Sequence, residues 1–308
     1  MKNLSIFIIS ILLIILICLP TPSLSKQNAC NKNDEKTLLN IKKSLGNPNI
    51  LASWHKTLDC CQWDGIYCTL NTGRVTDVNI FSASDNISAQ FPPEIGDLPY
   101  LQNLALINLT NLYGQIPSSF TKLTRLNSLA ITSTSLSGPI PSFLSELKNL
   151  MFLDLSYNKF TGSIPESLGW FNRQVLYLSN NRLTGNVPKS LGYVNFTKVD
   201  FSENQLTGDL SMFFGSNKTI RVAHFFRNHF QFNLSEVDEL PESLWDLQLD
   251  HNKIYGSLSA AFASESLQYL NVSYNRLCGK IPQGLQKADE TSFFHNRCLC
   301  GSPLPACS

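Results

Sequence analysis

Leu150-Met-Phe-Leu153-Asp-Leu155-Ser-Tyr-Asn158-Lys-Phe160-Thr-Gly162-Ser-Ile164-Pro165 decides how this chain folds. The stretch reads L-x-x-L-x-L-x-x-N-x-L-x-G-x-I-P, and the chain repeats it. Its asparagine recurs at Asn158, Asn181, Asn204, Asn228, Asn252 and Asn275, with spacings of 23, 23, 24, 24 and 23 residues. Earlier copies centre on Ile80, Leu106 and Ile131, where other residues replace the asparagine, which makes nine copies. The G-x-I-P element recurs at Gly114–Pro117, Gly138–Pro141, Gly185–Pro188 and Gly279–Pro282. Glycine permits a sharp backbone turn there, and proline fixes φ and removes a donor, which suits an exposed bend.

A period of this length with this consensus is the signature of the leucine-rich repeat, one short strand per turn of a solenoid. The predicted fold is therefore α/β: a right-handed leucine-rich-repeat solenoid with a curved, parallel concave sheet, about nine repeats and disulfide-capped ends. The L-x-L pair sends alternate side chains inward and leaves the x residues on the sheet surface. Each asparagine falls where the chain leaves its strand, and its amide is expected to bond backbone groups of that turn and of the next coil. A stack of coils has two raw ends, so caps are required. The expected division is residues 1–25 signal peptide, 26–72 N-terminal cap, 73–275 repeats and 276–308 C-terminal cap.

Outside the repeats, Lys2 is the only charge before residue 26, Ile6 to Leu19 is almost wholly aliphatic, and Ser23-Leu24-Ser25 offers a small-residue cleavage site. This is the pattern of a secretory signal peptide. Pro20 and Pro22 close the run short of the ~20 apolar residues a membrane anchor needs. Cys18 leaves with it, and eight of the nine cysteines remain in two distant clusters: Cys30, Cys60, Cys61, Cys68 and Cys278, Cys298, Cys300, Cys307. An even count in a secreted chain reads as disulfides. An elongated body forbids bridges between clusters, which leaves three pairings in each; Cys30–Cys60, Cys61–Cys68, Cys278–Cys298 and Cys300–Cys307 are preferred. No CxxC spacing supports a zinc site, so no metal and no cofactor is expected. Glu35 to Leu45 carries Leu38, Leu39, Ile41 and Leu45 on a helix-like face, against which Trp54 and Trp63 are expected to pack.

The 308 residues hold 24 Lys+Arg against 23 Asp+Glu, a net charge of +1 that excludes a basic nucleic-acid binder. Charged residues make up only 15%, below the ~25% average, so Ser, Thr and Asn carry the polarity. Six N-x-S/T sequons, at Asn86, Asn108, Asn195, Asn217, Asn233 and Asn271, are glycosylation candidates. Asn108 and Asn271 are expected in strand slots, where a glycan would crowd the sheet; Asn86, Asn217 and Asn233 are better placed.

At the two ends the residues carry a resemblance. Asp34 to Pro48, with Leu51-Ala-Ser-Trp54 and Asp59-Cys-Cys61, looks like a plant leucine-rich-repeat N-terminal cap. With Leu270-Asn-Val-Ser-Tyr-Asn-Arg-Leu-Cys-Gly279 and Phe294-His-Asn-Arg-Cys-Leu-Cys-Gly-Ser-Pro-Leu-Pro-Ala-Cys307, the chain from 26 to 308 resembles the polygalacturonase-inhibiting proteins. The resemblance implies a secreted plant cell-wall protein, monomeric, that blocks fungal or insect endo-polygalacturonases in defence, and it supports the sequential disulfide pairing. Family members typically have ten repeats; here one is missing, with the seam at Gly169-Trp-Phe-Asn-Arg173. The family presents acidic and polar residues on the middle strands. This chain keeps Asp154 and Asp200, while His224 replaces an acidic residue and Phe226 a small polar one. The family also resembles a pectin binder that uses cations just before the consensus asparagine. Those slots hold Asn180, Glu203, Arg227 and His251 here, so only Arg227 and His251 can serve and pectin affinity should be weak.

The partner-binding candidates on the concave face are Phe152, Asp154, Tyr177, Lys198, Asp200, Arg221, His224, Phe226, Trp245, Asp246 and Gln248. Aromatic and arginine side chains are the usual interface anchors, and an exposed aromatic stripe is costly unless covered. Asp154 and Asp200 lie two coils apart, close to a glycosidase carboxylate spacing, but an open sheet offers no pocket to raise an acid's pKa, so no enzyme is expected. Ice adsorption needs identical slots in consecutive coils, and the concave slots are too mixed. The remaining alternative is a non-inhibitory recognition protein for a peptide or a receptor-kinase ectodomain.

Overall fold

The computed structural model describes residues 29–82, 87–170 and 174–307; the signal peptide and Asn86 lie outside them, as does most of the seam after Trp170. A ten-stranded inner sheet runs the length of the solenoid. Strand β1 (Ile66–Cys68) pairs antiparallel with β2 (Val75–Phe81). From β2 the order is parallel and sequential: β3 (Asn103–Ile107), β4 (Ser128–Thr132), β5 (Phe152–Asp154), β6 (Val175–Tyr177), β7 (Lys198–Asp200), β8 (Val222–His224), β9 (Asp246–Gln248) and β10 (Tyr269–Asn271). A seven-stranded sheet of short strands, from Ala89–Gln90 to His229–Phe230, forms the outer side of the coils, and 3₁₀ turns close each loop.

The consensus leucines explain this stacking. Leu104, Leu129, Leu153, Leu176, Val199, Ala223, Leu247 and Leu270 sit in register on successive strands, all buried. Behind them Phe201, Phe213 and Phe225 form a packed spine, with Phe213 and Phe225 stacked at 5.4 Å.

The asparagines hold one coil to another. Asn204 donates from Nδ2 to the carbonyls of Phe201 (3.1 Å) and Ser202 (3.1 Å) in its own turn and to Leu178 (2.9 Å) one coil earlier. Its Oδ1 accepts from the Leu183 N–H at 3.0 Å. Asn181, Asn228, Asn252 and Asn275 repeat the pattern. The bonds reach the preceding coil rather than the next one expected from the repeat pattern. Where Thr134 takes the asparagine slot, its hydroxyl relays the contact: the Leu136 N–H donates to it, and it donates to Asn158 Oδ1. The residue before each slot adopts a left-handed conformation, from Asn108 (φ 58°) through Arg227 (φ 51°) to His295 (φ 57°). That turn swings the asparagine inward, and the strain it carries is offset by a backbone bond to the neighbouring coil, as from Tyr157 N–H to the Ser179 carbonyl (2.9 Å).

Both caps extend this logic. The helix α1 (Lys32–Ser44) is capped by the Asn31 side chain and buries Leu38 and Ile41, with Leu39 half-buried. Its Asp34 is buried and takes a two-pronged contact from Arg74 (2.8 and 2.9 Å) plus the Val75 N–H (2.9 Å), tying helix to first coil. Trp54 and Trp63 stack at 5.8 Å beneath. At the other end Asn296 repeats the ladder bonds to Val272, Phe293 and Leu277, so the C-terminal cap is a degenerate coil, a role its spacing of 21 from Asn275 could have revealed. Cys30–Cys60 and Cys61–Cys68 close the first cap, Cys278–Cys298 and Cys300–Cys307 the second.

Replacing Asn204 with Ala leaves the buried Leu183 N–H without its acceptor and the Leu178 carbonyl with one amide donor, Asn181 Nδ2 at 3.1 Å, in place of two. A loss of about 2–4 kcal/mol in urea unfolding is expected. Asn204→Asp keeps the acceptor but turns a carboxylate on three carbonyls, and should destabilise as well; a neutral effect of either would show that the ladder does not hold the coils.

Candidate functional site

The outward slots of the inner sheet form rows across the coils. One row runs Asp154, Tyr177, Asp200, His224, Gln248 and Asn271 on adjacent strands. A second runs Phe152, Val175, Lys198, Val222, Asp246 and Tyr269. Tyr177 is thus flanked by a carboxylate on each side, and its ring meets Phe152 edge-on at 6.0 Å. A shallow concavity of about 520 Å³ opens over Asp154, Tyr177, Asp200, His224 and Phe226.

The carboxylates are aimed by the backbone. Asp154 Oδ1 accepts from the Ser156 N–H (2.9 Å) and hydroxyl (2.6 Å), and Asp200 Oδ1 does the same with Ser202 (3.0 and 2.6 Å). The D-x-S pattern therefore locks each carboxylate in one orientation. Burial pushes the Asp154 carboxyl above the usual range, against the opposing Ser156 hydrogen bonds and with the nearby Asp200 charge adding to it. The expectation that an open sheet leaves this acid unshifted is corrected here: the packed rims of neighbouring strands desolvate it. Burial, then the charges of Asp154 and Asp200, raise the Tyr177 phenol, which keeps it a neutral donor.

His224 and Asp246 make an internal pair, Nε2 to Oδ2 at 2.9 Å, and Gln248 donates to Asp246 Oδ1 at 2.8 Å. Burial disfavours the His224 charge, but the Asp246 hydrogen bond and charge outweigh it and the net direction is upward. Asp246 is likewise burdened by burial, yet the bonds from His224 and Gln248 hold it below the ordinary range. Arg221 and Trp245 lie just ahead of β8 and β9, exposed at the sheet rim, where Trp245 meets Tyr269 edge-on at 5.3 Å. Lys198 is exposed, and Phe226 lies two residues beyond β8, half-buried beside His224.

Both pectin candidates are engaged within the molecule. Arg227 pairs with Glu203 at 3.3 Å, and His251 bonds Asp250 at 2.8 Å and stacks on Tyr274. Among the sequons, Asn108 is displaced from its expected strand slot to the left-handed position after β3, exposed. Asn271 ends β10 and accepts from Ser273, as Asp154 and Asp200 do from their serines. Asn233 caps a 3₁₀ turn, and Asn195 and Asn217 are exposed. On the outer side, Ser137, Thr161, Thr184 and Thr207 occupy one position in consecutive coils, a regularity that the mixed concave slots do not share.

A solenoid of stacked coils with disulfide-closed caps defines the class: an extracellular-type leucine-rich-repeat protein. The Leucine rich repeat N-terminal domain family matches residues 31–69, and the Leucine Rich Repeat family matches 149–171, 174–194 and 266–288. The chain is 48% identical over 326 residues to the polygalacturonase inhibitor of Vitis vinifera, covering 97% of this chain and 96% of that one. It is 48% identical over 315 residues to polygalacturonase inhibitor 2 of Arabidopsis thaliana, covering 93% and 95%. The solved structure of a plant ice-binding protein superposes with a TM-score of 0.80 at 42% identity, covering 91% of this chain and 99% of that one. The chain belongs to the polygalacturonase-inhibitor family. The Vitis match spans 326 positions while 97% of 308 residues is about 299, so about 27 positions are gapped on this side, close to one coil. Among the described residues no helix is long and apolar enough to cross a membrane.

The His224–Asp246 pair sets a pH window for folding. A raised histidine contributes stability below its unfolded value of ~6.5 and loses it as pH rises through the folded one; a depressed aspartate loses its share as pH falls through its folded value. His224→Asn should therefore cost more at pH 5 than at pH 8.5 in denaturant unfolding. An equal cost at both would remove the charge from the pair.

Proposed function

We propose that the chain is secreted to the plant cell wall and binds pathogen or insect endo-polygalacturonases on its concave face, occluding the enzyme and contributing to defence. The family membership supports the inhibitory role, and the Asp154–Tyr177–Asp200 row is the observation that carries the choice of face. An enzyme that handles a polyanion presents cations beside its cleft. Two carboxylates fixed by serine hydrogen bonds need little reordering to meet them, and a rigid aromatic between them supplies contact area at low entropic cost. Charge complementarity of this kind speeds encounter and fixes register. Further along the same face, His224, Asp246 and Gln248 bond one another, so they shape the rim and leave the charge contacts to Asp154 and Asp200. No catalytic role is assigned to these carboxylates.

Titrating the purified protein against a panel of fungal and insect endo-polygalacturonases tests the reading. Inhibition by the native chain and a loss of about tenfold or more for Asp200→Lys are expected. Absence of inhibition across the panel would move the chain to peptide or receptor recognition, and unchanged potency of the variant would clear Asp200 of the role.

A second reading, adsorption to ice, is favoured by the outer Ser137, Thr161, Thr184 and Thr207 row together with the likeness to the ice-binding structure. Lys159 and Arg182, exposed on the same short strands, interrupt it with strongly hydrated charges. Ice crystals in the purified protein are therefore expected to grow without arrest or faceting; arrest abolished by Thr184→Lys would establish the second activity.

A further inference from the structure

A groove of about 1130 Å³ lies on the outer flank, between the 3₁₀ turns and the outer strands of four successive coils. It is remote from the concave rows, and nothing in the proposed inhibition uses it. Its wall carries Tyr193, the most exposed large aromatic of the described chain at 86%, with half-buried Met212 and buried Phe214 alongside. The same closing position of the turn holds Asp97, Lys122 and Glu146 in the earlier coils, where Lys122 pairs with Asp97 at 2.8 Å, and the exposed Trp170 in the coil just before, which does not line the groove. An aromatic ring left in water at this position has a cost that a cover would remove.

Asn217 lines the same groove. It is exposed, stands in a tight turn closed by the Lys218 N–H on the Gly215 carbonyl (3.1 Å), and opens the sequon Asn217-Lys218-Thr219. Lys218 is turned away, its Nζ donating to the Gly192 carbonyl at 2.6 Å beneath Tyr193. We propose that Asn217 carries an N-glycan whose first sugars lie in this groove, with the apolar face of a pyranose ring on Tyr193. The sugar hydroxyls then meet Lys189 and Asp209 on the groove walls. Attachment in the secretory pathway forms a bond from Asn217 Nδ2 to the anomeric carbon of an N-acetylglucosamine. The bond from that carbon to the diphosphate of a lipid-linked oligosaccharide donor breaks; the lipid diphosphate leaves with the electron pair, and the amide loses one proton. Asn195, two residues past Tyr193, is also exposed, yet it does not line the groove, so its glycan has no seat there.

The test uses the full chain secreted from a eukaryotic host. Enzymatic deglycosylation in ¹⁸O-water followed by peptide mass spectrometry should find Asn217 converted to labelled Asp; an unlabelled Asn217 overturns the proposal. Thermal unfolding then compares Tyr193→Ser with the parent, each with and without the Asn217 glycan, the latter as Asn217→Gln and by amidase treatment of the unmutated protein. Tyr193→Ser should lower Tm by about 2 °C or more when the glycan is present and by much less when it is absent. Equal effects in the two backgrounds, or a coupling that follows Asn195→Gln instead, would show that the groove is not the glycan's seat.

Discussion

From Asn158 onward, each coil of this molecule depends on one side chain bonding sideways. A turn of 23–24 residues buries its leucines but leaves backbone groups facing the interior of the stack, where water does not reach. The asparagine amide has two donors and an acceptor of the right reach to serve a turn carbonyl, a carbonyl of the preceding coil and an N–H of that coil at once. Hydrophobic burial supplies most of the driving force, but it is indifferent to register. The amide ladder sets the register, and register is what brings Asp154, Tyr177 and Asp200 side by side.

The same constraint explains the ends. A ladder must start and stop, and here it fades through Thr134 at one side and finishes on Asn296 at the other. Beyond those points the cap helix with its Asp34–Arg74 contact, and the four disulfides, hold coils that have a neighbour on one face only.

The fold was legible because its determinants are periodic: leucine and asparagine at fixed spacing admit one arrangement. The candidate site was legible as a set of outward positions, since alternation in a strand follows from geometry alone. The partnerships within it were not. Nothing in the spacing says that Asp246 is occupied by His224 and Gln248, or that Arg227 and His251 are engaged by Glu203 and by Asp250 with Tyr274, because these contacts depend on rotamers across coils. Nor does alternation reveal that Asp154 is desolvated enough to raise its pKa. Asn108 was misplaced for a related reason: the left-handed residue before the ladder position ends the strand one residue earlier than hydrophobic pattern suggests.

The account therefore turns on which face meets the partner. Hydroxyl-radical footprinting of the protein, alone and bound to an endo-polygalacturonase it inhibits, reads side-chain exposure directly. Phe152, Tyr177 and Phe226 should lose reactivity in the complex while Trp170 and Tyr193 keep theirs; protection of Trp170 and Tyr193 with the concave aromatics unchanged would place the partner on the outer flank and contradict it.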